Sequence, residues 1–289
     1  MLRFSFKPKT PLFFCLLLGL ASLGHAQYNT VGNATANGPD CFILTNNATS
    51  QTGAAWNTTT IDPNFPFDIR GSINLGTNDG GADGIAFVLQ TAGSGAIGGL
   101  GGSLGYGGLI PSLIIEFDTY QNSTWGDPVF DHVAILSAGS NSHIAATSLV
   151  APVGILPGNA NAEDGLFHDV RFRWLPAISV FEVYVDCQLR LTYNGDIRTV
   201  LNNSTAVTYG FTASTGGLTN QHQACFDPSP TSPGARTNLS LCLGDTLDLM
   251  APVGTGYNWN PAAGLSATNQ QNVRAFPTTS TQYLVSYQD

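Results

Sequence analysis

The sequence predicts an all-β, exported protein, and three observations lead to this prediction. Only 10% of the 289 residues are charged, whereas Gly, Thr, Asn, Ser and β-branched residues are abundant. Apolar residues alternate with polar ones over short stretches: Val170, Phe172 and Trp174 are separated by arginines, which is the period of a half-buried strand. About 200 residues precede a Pro-rich break at 227–234, enough for the core of one β-sandwich.

The first 26 residues have the features of a secretory signal peptide. Arg3, Lys7 and Lys9 precede the apolar stretch Leu12–Leu23, and small residues follow before Gln27. The apolar stretch is too short and wrongly flanked for a membrane span. We therefore expect a mature chain that begins at Gln27, is secreted or displayed on a cell surface, and does not insert into the membrane.

The charge balance argues against nucleic acid and anionic membrane surfaces as partners. The formal net charge is −9 for the whole chain and −12 once the three basic residues of the signal are removed. Both lysines of the chain lie in that signal, so the mature chain carries only arginines as cations.

The stretch 111–135 contains the strongest chemical signal in the chain. An apolar run, Leu113–Ile115, leads into acidic, aromatic and amide residues at every second position, followed by one more carboxylate and an imidazole: Glu116, Asp118, Tyr120, Asn122, Asp127 and His132. The period of a strand places Glu116 and Asp118 on one face and Phe117 and Thr119 on the other. Two adjacent carboxylates repel each other and are costly to bury unpaired, which predicts a cation beside them.

The residue types in this stretch suit two different ions. Calcium takes carboxylate, amide and main-chain oxygens, whereas a transition ion such as manganese accepts carboxylates together with one imidazole. The alternative is a pair of strands whose polar face meets water, with the Gly126-Asp127-Pro128 sequence as an ordinary turn.

The order and spacing of these six residues resemble the calcium/manganese loop of the legume-type (L-type) lectins. The resemblance implies that a transition ion (Mn²⁺ or a similar ion) binds to Glu116, Asp118, Asp127 and His132. It implies that Ca²⁺ binds to Asp118, the carbonyl of Tyr120, Asn122 and Asp127. Ser142 lies where the family often has a serine that reaches the transition metal through water.

Three further segments are similar to the sugar-binding loops of the same family. Asp83, in an Ala-Asp-Gly sequence before an apolar strand, corresponds to an aspartate that accepts hydrogen bonds from sugar hydroxyls. In the family the peptide bond before this aspartate is cis, and we expect the same at Ala82–Asp83. Gly102, in the Gly-rich stretch 92–108, corresponds to a glycine whose amide meets the ligand. That stretch lacks the lysine of a phosphate-binding loop, so a flexible linker is its other interpretation.

The resemblance also assigns the remaining contacts with the sugar. The Asn122 amide would donate to it, and the ring of Tyr120, or alternatively of Trp125, would stack on it. In the third segment, residues 208–225, Gly217 and Leu218 would line the edge of the pocket, as would Asn220 with less support. Together these residues imply a calcium- and manganese-dependent carbohydrate-binding protein with glycans as partners.

The resemblance implies a concanavalin A-like jelly-roll sandwich of antiparallel sheets over 27–226. Residues 227–235 then form a linker, and 236–289 resemble the small Ig/PKD-like β-sandwich modules of bacterial surface proteins, with the native chain expected to continue. Terminal strands of such sandwiches lie side by side, which favours a Cys41–Cys225 disulfide, although sequence leaves the connectivity open. Cys187 and Cys242 have no evident partner.

Two other function classes remain as alternatives. Lectin-like sandwiches also include glycoside hydrolases, which need two carboxyl groups on opposite sides of the scissile bond. The related glucanases carry Glu-x-Asp-x-x-Glu on one strand, but here the third position is Gln121, so we expect a binding protein and not an enzyme. A structural adhesion module, in which the ions only stiffen the fold, is the other alternative.

Overall fold

The structure is a computed structural model that describes residues 27–227, 242, 244–251 and 253–288. The chain divides into two compact units: Gln27–Asp227, and a second unit whose described residues run from Cys242 to Gln288. The predicted signal peptide and most of the predicted linker lie outside the described residues.

The first unit is a sandwich of two seven-stranded sheets, in which all neighbouring strands are antiparallel. The first sheet has the order β1 (Tyr28–Gly32), β4 (Thr52–Asn57), β13 (Thr208–Ser214), β6 (Gly84–Gln90), β7 (Ser112–Asp118), β8 (His132–Ser137) and β9 (Ser148–Gly154). The second has the order β12 (Gln188–Asn194), β11 (Val180–Val185), β10 (His168–Leu175), β5 (Phe67–Asn74), β14 (His222–Phe226), β3 (Cys41–Thr45) and β2 (Thr35–Ala36). The predicted all-β sandwich is confirmed.

The hydrophobic core fills the space between the two sheets. Alternate residues of β7, namely Leu113, Ile115 and Phe117, point into it. The rings of Phe87 on β6 and Phe172 on β10 stack across the two layers with centroids 3.8 Å apart. The predicted half-buried strand is confirmed because Val170, Phe172 and Trp174 of β10 belong to this core.

The outer face of the first sheet is also covered. The end of the Gly-rich stretch folds over β6, β7 and β8, so that Leu104 and Tyr106 pack with Ile114 of β7 and Leu136 of β8 in a second apolar cluster. Glu116 and Asp118 lie on this outer face, because the intervening Phe117 points into the main core. The flexible-linker interpretation of the Gly-rich stretch is therefore wrong for its end, which is packed against the sheet.

Helical structure in the described residues is limited to short segments. Three 3-10 helices and one α-helix are present: Gly101–Ser103, Ser123–Trp125, Pro157–Asn159 and Ile197–Val200. In the part of the chain that the structure describes, no helix has the length and apolar character needed to cross a membrane.

The second unit contains two small antiparallel sheets. Strand β15 (Leu247–Met250) pairs with β17 (Asn272–Ala275), and β16 (Thr255–Asn260) pairs with β18 (Leu284–Gln288). Among its described residues, Ala251, Trp259, Val273 and Ala275 are buried. The Ig/PKD-like assignment of this unit stays a prediction.

The cysteines differ in part from the sequence prediction. Cys41 and Cys225 are paired residues of the neighbouring strands β3 and β14, and they form the predicted disulfide. Cys187 and Cys242, for which sequence showed no evident partner, are each disulfide-bonded as well. Sequence offered no signal for this, because connectivity depends on which strand ends approach each other in space.

We expect the Cys41→Ala/Cys225→Ala double variant to lose about 2–5 kcal/mol of unfolding free energy. The disulfide joins residues separated by 184 positions, so its removal releases a long segment of the unfolded chain. Urea unfolding of the whole chain, followed by tryptophan fluorescence, measures the difference. An unfolding midpoint equal to that of the wild type would show that the disulfide adds no stability beyond the pairing of β3 with β14.

Candidate functional site

Strands β7 and β8 bring two carboxylates and one imidazole together on the outer face of the first sheet. Asp118 lies directly opposite His132 in the antiparallel register, and Glu116 is two residues away on the same face of β7. All three side chains are buried. The predicted placement of Glu116 and Asp118 on one strand face is confirmed.

The loop between β7 and β8 folds back onto these carboxylates through its own backbone. The Tyr120 N–H donates to Asp118 Oδ1 over 2.8 Å, and the Asn122 N–H donates to Asp127 Oδ2 over 2.6 Å. The Trp125 N–H donates to the Asn122 carbonyl over 2.8 Å and closes a 3-10 turn. Asp127 is thereby buried next to the strand carboxylates.

A second imidazole, His143, joins this cluster, although the sequence directed attention to its neighbour Ser142. His143 Nε2 lies 2.8 Å from Glu116 Oε1, 3.4 Å from Asp127 Oδ1 and 3.1 Å from His132 Nε2. Among the described residues, Glu116, His132 and His143 form the group of potential metal ligands whose donor atoms all lie within 4.8 Å of one another. Sequence gave only a weak signal, a histidine in the loop after β8.

Tyr106, which sequence reasoning also missed, positions the carboxylate at the centre of the cluster. Its hydroxyl donates to Glu116 Oε2 over 2.6 Å. Burial raises the pKa of Tyr106 well above its usual range, and the adjacent Glu116 charge raises it further. The hydroxyl therefore keeps its proton and leaves Glu116 Oε1 directed at the imidazoles.

The buried charges affect one another strongly. Burial raises the pKa of Asp118 well above its usual value, and the neighbouring Glu116 charge raises it further. Burial also raises the pKa of Asp127. In Glu116 the effect of burial is outweighed by the two imidazoles, which lower the pKa. A bound cation would favour the ionised form of all three carboxylates.

The residues present fit the ions that the sequence predicts. In the described part of the chain, Glu116 Oε1 and Asn122 Oδ1 are buried oxygens with no hydrogen-bond partner. Buried oxygens are costly to leave unpaired, and these two belong to residues predicted to bind the transition ion and calcium, respectively. Carboxylate and amide oxygens suit calcium, and a carboxylate next to imidazoles suits a transition ion.

Asp83 lies next to two glycine-containing loops. It immediately precedes β6, and the Ala82–Asp83 peptide is cis, as predicted. A Cβ atom added at Gly216 would lie 3.2 Å from Asp83 Oδ2, and one added at Gly101 would lie 3.9 Å from the same oxygen. Asp83 Oδ2 is itself buried without a hydrogen-bond partner among the described residues, and burial raises the pKa of this carboxyl to about 6.

Gly102 connects the Asp83 loops to the loop between β7 and β8. A Cβ atom at Gly102 would overlap Asn122 Oδ1 and lie 2.5 Å from Cζ3 of the Trp125 ring. The Gly101–Ser103 turn thus lies between Asp83 on one side and Asn122 on the other. The structure brings together Asp83, Gly102 and Asn122, which are far apart in sequence.

The residues predicted to stack on the sugar or to line the edge of the pocket divide into two groups. Tyr120 and Leu218 are 39% and 48% exposed, and a Cβ at Gly217 would meet only open space. Asn220 is buried, so its expected place at the edge of the pocket is wrong. The short loop after Leu218 turns inward and directs the Asn220 amide into the protein.

Comparison with known proteins identifies the family of the first unit. Residues 22–228 match the family described as the legume lectin beta-barrel domain. The chain belongs to this family. The two large sheets of the lectin domain form its jelly-roll sandwich, which confirms the predicted fold class.

The lectin domain is similar to several characterised proteins. The chain is 26% identical over 274 residues to the serine-rich adhesin for platelets of Staphylococcus aureus strain MSSA476, covering 85% of this chain but only 12% of that protein. Winged bean acidic lectin, complexed with methyl-α-D-galactose, is 22% identical with a TM-score of 0.56, covering 70% of this chain and 91% of the other. The exoplasmic/lumenal domain of VIP36, in a Ca²⁺/Man3GlcNAc-bound form, is 17% identical with a TM-score of 0.54, covering 69% and 81%.

Asn220 fixes the loops behind the Asp83 region of the lectin domain. Its side-chain oxygen accepts from the Thr77 N–H over 3.2 Å, and its amide donates to the Asn78 carbonyl over 3.0 Å and to Glu163 Oε1. Glu163 is also buried, and its Oε2 has no hydrogen-bond partner among the described residues. This network joins the loop before Asp83 to the loop after β13.

We expect Glu163→Gln to reduce the loss of stability that occurs as pH rises from 4.5 to about 8. Burial raises the pKa of Glu163 from 4.5 to about 8, with a further contribution from the Asp131 charge. The unfolded chain ionises this carboxyl above pH 4.5 while the folded chain keeps it protonated, so native stability falls as pH rises towards 8. The variant should lose less unfolding free energy over this window, on the order of 2 kcal/mol.

Urea unfolding at a series of pH values measures this difference. Glu182→Gln is the matched control, because Glu182 lies on β11 and pairs with Arg173 at the surface. Parallel stability curves for Glu163→Gln and the wild type would contradict the assignment of this pH dependence to Glu163.

We expect Gly102→Ala to perturb the site without unfolding the domain. The added methyl group would collide with Asn122 Oδ1 and Trp125, so Asn122 must move. Ligand binding should weaken at least about tenfold, equivalent to about 1.4 kcal/mol, as measured by calorimetric titration with a sugar identified on a glycan array. Gly95→Ala, in the same Gly-rich stretch but where the methyl group meets open space, is the control. Equal affinities for the two variants would contradict close packing at Gly102.

Proposed function

We propose that this chain is an exported, metal-dependent carbohydrate-binding protein that acts as a lectin or adhesin. The observation that carries the proposal is the convergence of Asp83, Gly102 and Asn122 beside the buried carboxylate and imidazole cluster. Asp83 Oδ2 and Asn122 Oδ1 are buried without a hydrogen-bond partner in the described part of the chain, and they belong to the residues to which the resemblance assigned the sugar and calcium.

Four residues would hold the transition ion, and an overlapping set would hold Ca²⁺. Glu116, Asp118, Asp127 and His132 are the proposed ligands of a transition ion such as Mn²⁺. Asp118, Asn122, Asp127 and the carbonyl of Tyr120 are the proposed ligands of Ca²⁺. The ions would supply positive charge that offsets the buried carboxylates and fixes the loop in one conformation.

The sugar would lie in the space between the three loops. Asp83 accepts hydrogen bonds from its hydroxyl groups, whereas the Gly102 N–H and the Asn122 amide donate to it. The exposed ring of Tyr120 stacks on its apolar face, with Trp125 as the alternative stacking residue. Gly217 and Leu218 form the outer edge. Because Asp83 and Asn122 have short side chains and Gly102 contributes its backbone N–H, the site loses little conformational entropy on binding.

The structural neighbours support glycans as the ligand class. The winged bean and VIP36 structures contain different sugars, methyl-α-D-galactose and Man3GlcNAc, on similar folds. The fold alone therefore does not select the sugar. We assign that selection to the loop after β13, which contains Gly217 and Leu218, because the loop lies beside Asp83 and exposes Leu218 to solvent.

Binding fits the site better than glycoside hydrolysis. A hydrolase needs an acid or nucleophile free to act on the substrate. Glu116 is instead buried, with Oε2 bonded to Tyr106 and Oε1 facing two imidazoles. At the position where the related glucanases carry a glutamate, the Gln121 amide donates to the Asp127 carbonyl over 3.4 Å.

Two findings support a location outside the cytoplasm. The Cys41–Cys225 disulfide is typical of oxidising compartments, and a relative of the chain is an adhesin. The chain spans 12% of that relative's length, so a role in adhesion is proposed here only for the lectin domain and not for a whole adhesin.

We expect the whole chain to bind glycans on an array in Ca²⁺ and Mn²⁺ and to lose binding after chelation. Asp83→Ala and Asn122→Ala should each reduce binding by more than about tenfold, because each removes a polar partner of the sugar. Asn64→Ala, on an exposed loop of the same domain, is the control.

The other outcomes distinguish the alternatives. Binding that persists after chelation and in both variants would contradict the proposed site. A folded, metal-loaded protein that binds no glycan would favour the structural adhesion module. Release of reducing sugar from a bound polysaccharide would favour the hydrolase.

A further inference from the structure

His143 is the next residue after Ser142, to which the resemblance assigns a contact with the transition ion through water. His143 follows the end of β8 by six residues and is buried against Glu116, Asp127 and His132. The backbone supports this position, because the His143 N–H donates to the Trp125 carbonyl over 2.8 Å. The loop after β8 is thus tied to the loop that contains Asn122.

The donor atoms of Glu116, His132 and His143 are as close together as ligands that share one ion, and Asp127 approaches this group through His143. Glu116 Oε1, Asp127 Oδ1 and the two Nε2 atoms are separated by 2.8, 3.1, 3.4 and 3.6 Å in the four measured pairs. Ligand atoms about 2.0–2.1 Å from a Zn²⁺ ion in tetrahedral geometry would lie about 3.3 Å apart.

The close approach of His143 Nε2 to Glu116 Oε1 lacks the geometry of a directed hydrogen bond. Although the two atoms are 2.8 Å apart, Glu116 Oε1 has no hydrogen-bond partner within the described ranges. The ring N–H direction of His143 therefore does not point at this oxygen. Tyr106 holds the other oxygen, Oε2, so Oε1 is left directed at the space between the two imidazoles.

We propose that His143 is a direct ligand of the transition ion, and that the site selects Zn²⁺ over Mn²⁺. This rests on the proposed function only in placing an ion beside Glu116 and His132. The ligand set becomes Glu116, Asp127, His132 and His143, with two imidazole nitrogens in place of one. Asp118 and Asn122 remain available for calcium.

Ligand chemistry explains the selection. Mn²⁺ favours carboxylate, carbonyl and water oxygens, whereas imidazole nitrogen suits Zn²⁺ and other late transition ions. Any site of nitrogen and oxygen ligands binds Zn²⁺ more tightly than Mn²⁺ to some degree. The specific consequence of His143 is therefore the size of the Zn²⁺/Mn²⁺ affinity ratio, which its removal must reduce.

The test measures metal affinity directly on the whole chain, without any glycan. The metal-stripped protein is saturated with Ca²⁺ and titrated calorimetrically with Zn²⁺ and, separately, with Mn²⁺. We expect His143→Gln to weaken Zn²⁺ binding at least about tenfold and Mn²⁺ binding much less, so the affinity ratio falls. His168→Gln, which alters a buried histidine bonded to Asp164 and Asp186 outside the cluster, is the matched control.

A second measurement uses the unsubstituted chain and does not depend on how the variant folds. Cu²⁺ bound to the wild type should give an electron spin-echo spectrum with two coupled imidazoles. A single coupled imidazole, or a Zn²⁺/Mn²⁺ ratio unchanged in His143→Gln, would overturn the proposal. Since no sugar is present, failure of this test is distinct from failure of the glycan-array experiment.

Discussion

The arrangement of the lectin site depends on the burial of like charges on the outer face of a sheet. Glu116 and Asp118 alternate with core residues on β7, and Asp127 is folded against them by the following loop. A strand elsewhere would leave such residues to solvent, but here the Gly-rich stretch covers that face. The free-energy cost of burying these carboxylates is offset by the imidazoles, by the hydrogen bond from Tyr106 and, in our proposal, by bound cations.

The same cover explains how one site can be assembled from distant parts of the chain. The Gly-rich stretch supplies Tyr106 to the carboxylate cluster and packs Gly102 against Asn122 and Trp125. Its turn at Gly101–Ser103 lies between Asp83 and Asn122 because neither glycine has a side chain to keep the loops apart. Charge compensation and ligand geometry are therefore coupled: a change in the buried cluster would move Asn122, and with it one side of the pocket.

The Asn220 and Glu163 network has a different role from the one that its sequence position indicates. Asn220 follows the Thr-Gly loop, and the resemblance placed it at the edge of the sugar pocket. Its side-chain amide instead joins the loop at Thr77 and Asn78 to Glu163. The exposed part of the loop is confined to Gly217 and Leu218. Variation there would change the pocket edge while the buried network keeps its base in place.

Sequence by itself determined the all-β class and the face of β7 that carries Glu116 and Asp118, because the period of a strand decides which side chains share a face. The grouping of Asp83, Gly102 and Asn122 came from the resemblance to the lectin family, and their role in binding a sugar stays a proposal. Only the tertiary structure decided the position of His143, the hydrogen bond from Tyr106, the inward direction of Asn220 and the bonded state of Cys187. Each of these depends on the approach of segments that are separate in sequence, and packing of loops against a sheet leaves no periodic signal along the chain.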